Sequence, residues 1–457
     1  MKKILPYFIV MIITAVLVGL LLTFLINIKE RKEETRIQHV NVVELNEETT
    51  DPAVWGQNYP REYDGYKKTS IKTHTRFGGS EGISKLDNDP KLRTIFAGYA
   101  FSVDYNNRRG HAYSLIDQKE TERVKKFKQV GNCMHCHAGG LKSIYEKVGN
   151  GDMMAGFDKL AAMPLQEAWK FAEHPVACVD CHDPKTMNLR VTRPAFLKAI
   201  KKLKEKDGIQ DYNPNVTASR QEMRTYVCAQ CHVEYYCGAK EKVFYPWDNG
   251  LKVEEIEDFY DNFKFKDGHG FFDYKHEITG AEVIKAQHPE FELYSQGVHA
   301  KSGVACADCH MPYVREGAVK ITDHYVRSPL LNISKACLQC HHFTEKEMQE
   351  RVDSIQDRNY KLLNRAEIAV VALINKVGEL KKLDALEEDL KPLYALQRKA
   401  QWRADFINAE NSMGFHAPQE AARILAESID YARQGEVLAQ ELLARYASKK
   451  SSQSISQ

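Results

Sequence analysis

Apolar residues fill positions 5–28, with no charge among the 24. A helix of that length spans a bilayer. Lys2 and Lys3 precede the run and the charged stretch 29–36 follows, with no small-residue exit of the A-x-A kind. An uncleaved transmembrane signal anchor is expected over residues 1–28, with cleavage as the alternative. Residues 29–55 lack periodicity and read as a charged linker. Between 56 and 342 the pattern is irregular. Gly78-Gly79-Ser80 and Asn106-Asn107 signal turns. Short helices are expected over 194–206 and 165–173, with few strands. Residues 242–280 are dense in Phe, Tyr and Asp and read as an insertion over one face.

From Thr344 the pattern changes. Thr344 and Glu347 suit a capping box. Leu, Ile, Ala and Val then recur at helical spacing to Leu390, and Pro392 is expected to end the run. A second helix is expected from 393 to about 410, a break at Met413-Gly414, and a third helix from Pro418 to about 447. The apolar stripes of this 343–457 region suit either a dimer interface or a cover for the neighbouring core.

The 457 residues carry a net charge of +2, with 28% charged and 10% aromatic residues. That balance indicates a globular chain and gives no argument for nucleic acid. A small anionic substrate would need a local positive site.

Cysteine usage sharpens the picture. Ten of the 11 cysteines fall into five Cys-x-x-Cys-His units: Cys133/Cys136/His137, Cys178/Cys181/His182, Cys228/Cys231/His232, Cys306/Cys309/His310 and Cys337/Cys340/His341. Chance placement gives roughly one hundredth of such a unit in the chain. Two thiols at this spacing add to the two vinyl groups of one haem, and the next residue, His, ligates the iron. Structural zinc is the competing reading, but zinc ribbons pair Cys-x-x-Cys units about 15–20 residues apart. Here successive units begin 45, 50, 78 and 31 residues apart, each with its His. Five haem c groups are expected over residues 56–342. Covalent haem attachment places that region on the extracytoplasmic side. Cys237 stands alone and reads as a small buried hydrophobe.

Longer strings carry a resemblance: GGSEG (78–82), AGYAFSVDYNNRRGHAY (97–113), VCAQCHVEYY (227–236), KAQHPEFELYSQGVHAKSGVACADCHMPY (285–313) and GFHAPQE (414–420). The chain resembles the ammonia-forming cytochrome c nitrite reductases, pentahaem enzymes, from about 59 to 419. The resemblance implies a mainly α fold with closely packed haems and long C-terminal helices that form a homodimer. It implies reduction of nitrite to ammonium with six electrons. Many members carry Lys in place of the first unit's His; here the residue is His137, as in some members.

The same resemblance implies distal axial ligands at His111, His174, His299 and His416, one for each haem of units two to five, leaving the first haem open. His39, His74, His269, His276 and His324 are expected to be surface or core residues. Above the open iron the family places an Arg, a Tyr and a His, which map to Arg109, Tyr235 and His288. Arg108 adjoins Arg109, and the RGH string favours 109. Nitrite binding calls for a cationic clamp, and N–O cleavage for protons delivered on site. A family calcium site maps to the side chains of Glu234 and Gln287 and the carbonyls of Tyr235 and Lys285, an oxygen-only set that suits a hard cation. An anchored enzyme would take electrons from a quinol-linked membrane cytochrome or the quinol pool. The competing readings are an electron conduit with every iron six-coordinate and a hydroxylamine-oxidising relative, which would need eight haem units.

Overall fold

Residues 5–34, 41–317 and 319–455 are described by the computed structural model. The apolar run lies in one helix, α1 (Leu5–Glu34). Its side chains, Phe8, Leu17 and Leu21 among them, are exposed, and Tyr7–Lys32 is long and apolar enough to cross a membrane. The charged residues after 28 continue this helix instead of forming a linker. Lys, Glu and Arg are strong helix formers and extend a helix already nucleated. The chain turns helical again at Pro52, where the Asp51 side chain caps the Ala53 N–H.

The haem-motif region is built of short helices joined by loops. Helix α2 (Pro194–Lys206) lies where the sequence places it, with Pro at its first turn. Helix α3 (Arg220–Ala229) opens with a Ser219/Glu222 capping box. Residues 165–173 split into a helical turn at Leu165–Ala168 and a tighter one at Trp169–Phe171. The described strands pair as three two-stranded antiparallel ribbons. The longest joins β1 (Tyr313–Glu316) to β2 (Val319–Thr322).

Residues 242–280 are not an insertion over one face. Helix α4 (Val253–Asn262), with Phe265 and Phe271, is part of the main core, where Tyr260 stacks on Phe271 at 4.0 Å. Trp402 seals this contact, donating its indole N–H to the Val253 carbonyl at 3.1 Å. So many large aromatics bury too much apolar surface to remain peripheral.

Three long helices follow: α5 (Glu345–Lys382), α6 (Glu387–Ala409) and α7 (Pro418–Ile455). The Thr344/Glu347 capping box forms as expected. Buried Leu373, Ile374 and Val377 of α5, Leu393 and Ala400 of α6, and Ala421, Ile424 and Ala432 of α7 face one another. The first break comes at residues 383–386, where Asp384 takes φ 54°, and not at Pro392. Pro392 lies inside α6. Its position and Glu388, whose carbonyl loses its helical partner, are both exposed, so the orphan is open to solvent. The second break is at Met413 (φ 52°) and Gly414 (φ 75°), as the sequence suggests.

Candidate haem sites and catalytic pocket

Each Cys-x-x-Cys-His unit lies on a turn of helix or at its edge. Helical spacing puts both thiols on one side and the His next to them. In units two and four the Asp between the cysteines fixes that turn: Asp180 accepts from the Ala177 N–H at 2.9 Å and Asp308 from the Ala305 N–H at 2.8 Å. All five units line one continuous cavity of about 2920 Å³. That is several times the roughly 300–1,000 Å³ of a single-ligand pocket. Folded cores do not keep voids of this size, so the donors and the space both fit attached haems.

Four histidine pairs face each other across this cavity. Ring centroids are 6.4 Å apart for His111 and His232, 6.2 Å for His182 and His324, 6.4 Å for His310 and His416, and 6.2 Å for His299 and His341. Two imidazoles on opposite sides of one metal, each bonded at the roughly 2 Å of a metal–imidazole contact, put their centroids about 6 Å apart. Second partners orient the rings. His137, His182 and His310 pair their Nδ1 with the carbonyls of Ser114 (2.9 Å), Met187 (2.9 Å) and Arg327 (3.1 Å). Enclosure lowers His137 to about 3 and His182, His232 and His310 to about 4. All four rings are thus neutral, as ligands must be.

The pairing departs from two expectations, His174 as a ligand and His324 as a surface or core residue. His174 meets no motif histidine among the described residues and does not line the cavity; its carbonyl accepts from the Gly139 N–H at 2.9 Å. The position opposite His182 belongs to His324, just beyond β2, with its Nδ1 on the Thr322 carbonyl at 2.8 Å. The other histidines separate cleanly. His74 and His269 are exposed, His276 is buried with Nε2 on the Thr94 carbonyl at 2.9 Å, and His39 lies outside the described residues.

No histidine ring faces His137 among the described residues. Tyr235 and His288 instead share the pocket near it, their rings 6.2 Å apart. Enclosure, and then the Arg108 charge, hold His288 well below its usual range, so the ring is neutral at pH 7. Enclosure holds the Tyr235 hydroxyl well above 10. Both therefore present N–H or O–H donors. Arg109 lines the same cavity, ion-paired to Asp117 through Nε at 2.8 Å and also through its terminal nitrogen, and lies 3.7 Å over the Tyr113 ring. Arg108 has no carboxylate partner among the described residues, and its charge reaches His137, Tyr235 and His288.

Glu234, Gln287 and Lys285 converge beside this pocket. The buried Glu234 carboxylate accepts from the Gln287 N–H at 2.6 Å, and the Gln287 side chain reaches the Lys285 carbonyl at 3.1 Å. Burial, with Glu292 as a like-charged neighbour, pushes Glu234 well above the carboxylate range, and Glu292 Oε2 is buried without a partner. The Lys285 ammonium cannot neutralise this pair, because it bonds Asp405 at 3.0 Å. Two buried acids beside the Lys285 carbonyl fit a divalent cation.

The thiols also show the order of the units. Cys136 lies against Cys231, and Cys228 against Cys306; Cys309 neighbours Cys337, and Cys181 neighbours Cys231. The units run one–three–four–five, with two beside three. Cys237 packs in the apolar cluster beside Cys133.

A family model described as cytochrome c552 matches residues 51–457. The chain belongs to the cytochrome c552 family. Among this cytochrome's relatives is cytochrome c-552 of Parabacteroides distasonis, 36% identical over 397 residues, covering 85% of this chain and 76% of that protein. Cytochrome c-552 of Aliarcobacter butzleri is 34% identical over 450 residues, covering 95% and 85%. The solved cytochrome c nitrite reductase catalytic subunit of Desulfovibrio desulfuricans, described with two calcium sites, matches with TM-score 0.78 and 31% identity over 87% of this chain and 88% of that one. In this cytochrome the sequence reading missed His324 and the reach of Arg108. Neither has a local signal. His324 follows a hairpin in a stretch with no Cys-x-x-Cys-His unit, and Arg108 differs from Arg109 only in direction.

Proposed function

We propose that this cytochrome reduces nitrite to ammonium with six electrons at the iron site of the first unit, while the other four units serve electron relay. One observation carries the reading: among the described residues His137 is the motif histidine without a facing imidazole, and its pocket holds Tyr235, His288 and two arginines. Bound haem would supply an iron for nitrite and a path for electrons. Cys133, Cys136 and His137 would hold it. Arg109, oriented by Asp117, and Arg108 attract and hold the anion's oxygens. Tyr235 donates a hydrogen bond from its hydroxyl. His288, neutral in the free pocket, donates through its N–H and takes up a proton when the anion's charge is present, so it relays protons to the N–O oxygens as they leave. His111, His324, His416 and His299 would be the second histidines that hold the haems of units three, two, four and five.

One calcium ion would belong with Glu234, Gln287 and the carbonyls of Tyr235 and Lys285, fixing the two loop segments that carry Tyr235 and His288. The helices beyond 344 form a homodimer, and α1 anchors the protein to the extracytoplasmic face of the cell membrane, where a quinol-linked cytochrome or the quinol pool donates electrons. The discriminating experiment is spectroscopic. One high-spin iron that shifts on adding nitrite supports the enzyme. Five low-spin irons unmoved by nitrite or cyanide would make the chain an electron conduit.

A further inference from the structure

Resting on the axial pairs proposed above, we infer that Glu410 is a positioning residue that lowers the reduction potential of the fourth unit by acting through His416. The His416 Nδ1 donates to Glu410 Oε1 at 2.6 Å, and Glu410 is 1% exposed. The other contacts of that carboxylate are also donors: the Ser412 hydroxyl at 2.8 Å and the Gly414 N–H at 3.4 Å. No Lys or Arg pairs with it among the described residues. A set made only of donors suits a carboxylate and not an acid. The neighbouring acid, Glu290, is pushed up to about 7, first by burial and then by Glu410, and it accepts from Asn411.

The turn builds this contact. Met413 and Gly414 both take positive φ, folding residue 410 back onto 416. A Cβ at 414 would lie 2.7 Å from the Asn359 side chain, so only glycine fits.

Its surroundings differ from those of the comparable rings. His137, His182, His310 and His324 all pair their Nδ1 with neutral backbone carbonyls. A charge-assisted bond is shorter and roughly twice as strong. It draws the Nδ1 proton away, raises the ring's basicity and makes Nε2 a stronger donor to iron. A stronger donor favours the ferric over the ferrous state. Only one face of one site is affected, because His310, across from His416, bonds a carbonyl.

The test is potentiometry on the full-length, five-haem protein, followed by electron paramagnetic resonance and optical spectra. Glu410→Gln keeps an acceptor for the imidazole and removes the charge; Glu410→Asp keeps the charge. In Glu410→Gln one low-spin site should become easier to reduce, its reduced-to-oxidised ratio rising about tenfold at fixed potential, or about 59 mV for a one-electron couple. The other sites should not move, and Glu410→Asp should return most of the shift. Unchanged potentials in Glu410→Gln with five haems would overturn the inference. So would loss of haem in both variants, which would make the residue structural only. A wild-type spectrum without four low-spin sites would instead count against the axial pairing itself.

Discussion

The rings of His182 and His324 face each other 6.2 Å apart, although one follows the second Cys-x-x-Cys and the other follows the β1–β2 ribbon. Gly65 makes room for this, since a Cβ there would lie 3.1 Å from His324. Replacing His324 by Ala should convert one low-spin site to high-spin while five haems remain, and slow turnover about 10–100-fold. His174→Ala should leave the low-spin signals intact. Electron paramagnetic resonance of the two variants decides between them; loss of a low-spin signal in His174→Ala alone would reverse the assignment.

His288→Asn should cut ammonium formation by about 10²–10³ with all five haems in place, the usual effect of removing one fixed catalytic group. The free ring is held well below its ordinary range. The pH profile of kcat/KM, which reports the free enzyme, should therefore show no break from this residue near 6.5. A break there that disappears in His288→Asn would contradict the neutral ring.

The arginine pair separates binding from chemistry. Arg109→Ala should raise KM for nitrite about 10–100-fold, the worth of a hydrogen bond to a charged group, and lower kcat less. Arg108→Ala should also weaken nitrite binding, because its charge reaches the same pocket. Steady-state kinetics at constant ionic strength measures both. Unchanged KM in both variants would remove the anion clamp from the account.

Calcium has its own readout. Metal analysis of the wild type should give one calcium per chain at the Glu234 site, lost in Glu234→Gln. Chelation should destabilise the protein by about 3–4 kcal/mol relative to calcium held at 100–1,000 times Kd. Equal calcium content in wild type and Glu234→Gln would place the ion elsewhere.

Much of this was legible in the residues. The five units point to covalent haem through their spacing, and spacing survives any fold. The capping box at Thr344, the turn at Met413-Gly414 and the helix over 194–206 rest on local rules, and each appears in place. Non-local facts were not legible. Pro392 suggests a helix end, yet the buried stripe through Leu390, Leu393 and Ala400 overrides it. The partner of His182 lies far along the chain, where no periodicity marks it. Residues 242–280 look peripheral because they lack a haem unit, but their aromatic rings need burial and find it against α6.

The central claim is a complete six-electron reduction at one open site. Full-length protein, reduced by a viologen dye, should oxidise that dye only when nitrite is added. It should consume six electrons for each nitrite and release one ammonium, measured in the same reaction. Dye oxidation that stops at nitric oxide or hydroxylamine, or no nitrite-dependent oxidation in protein carrying all five haems, would contradict it.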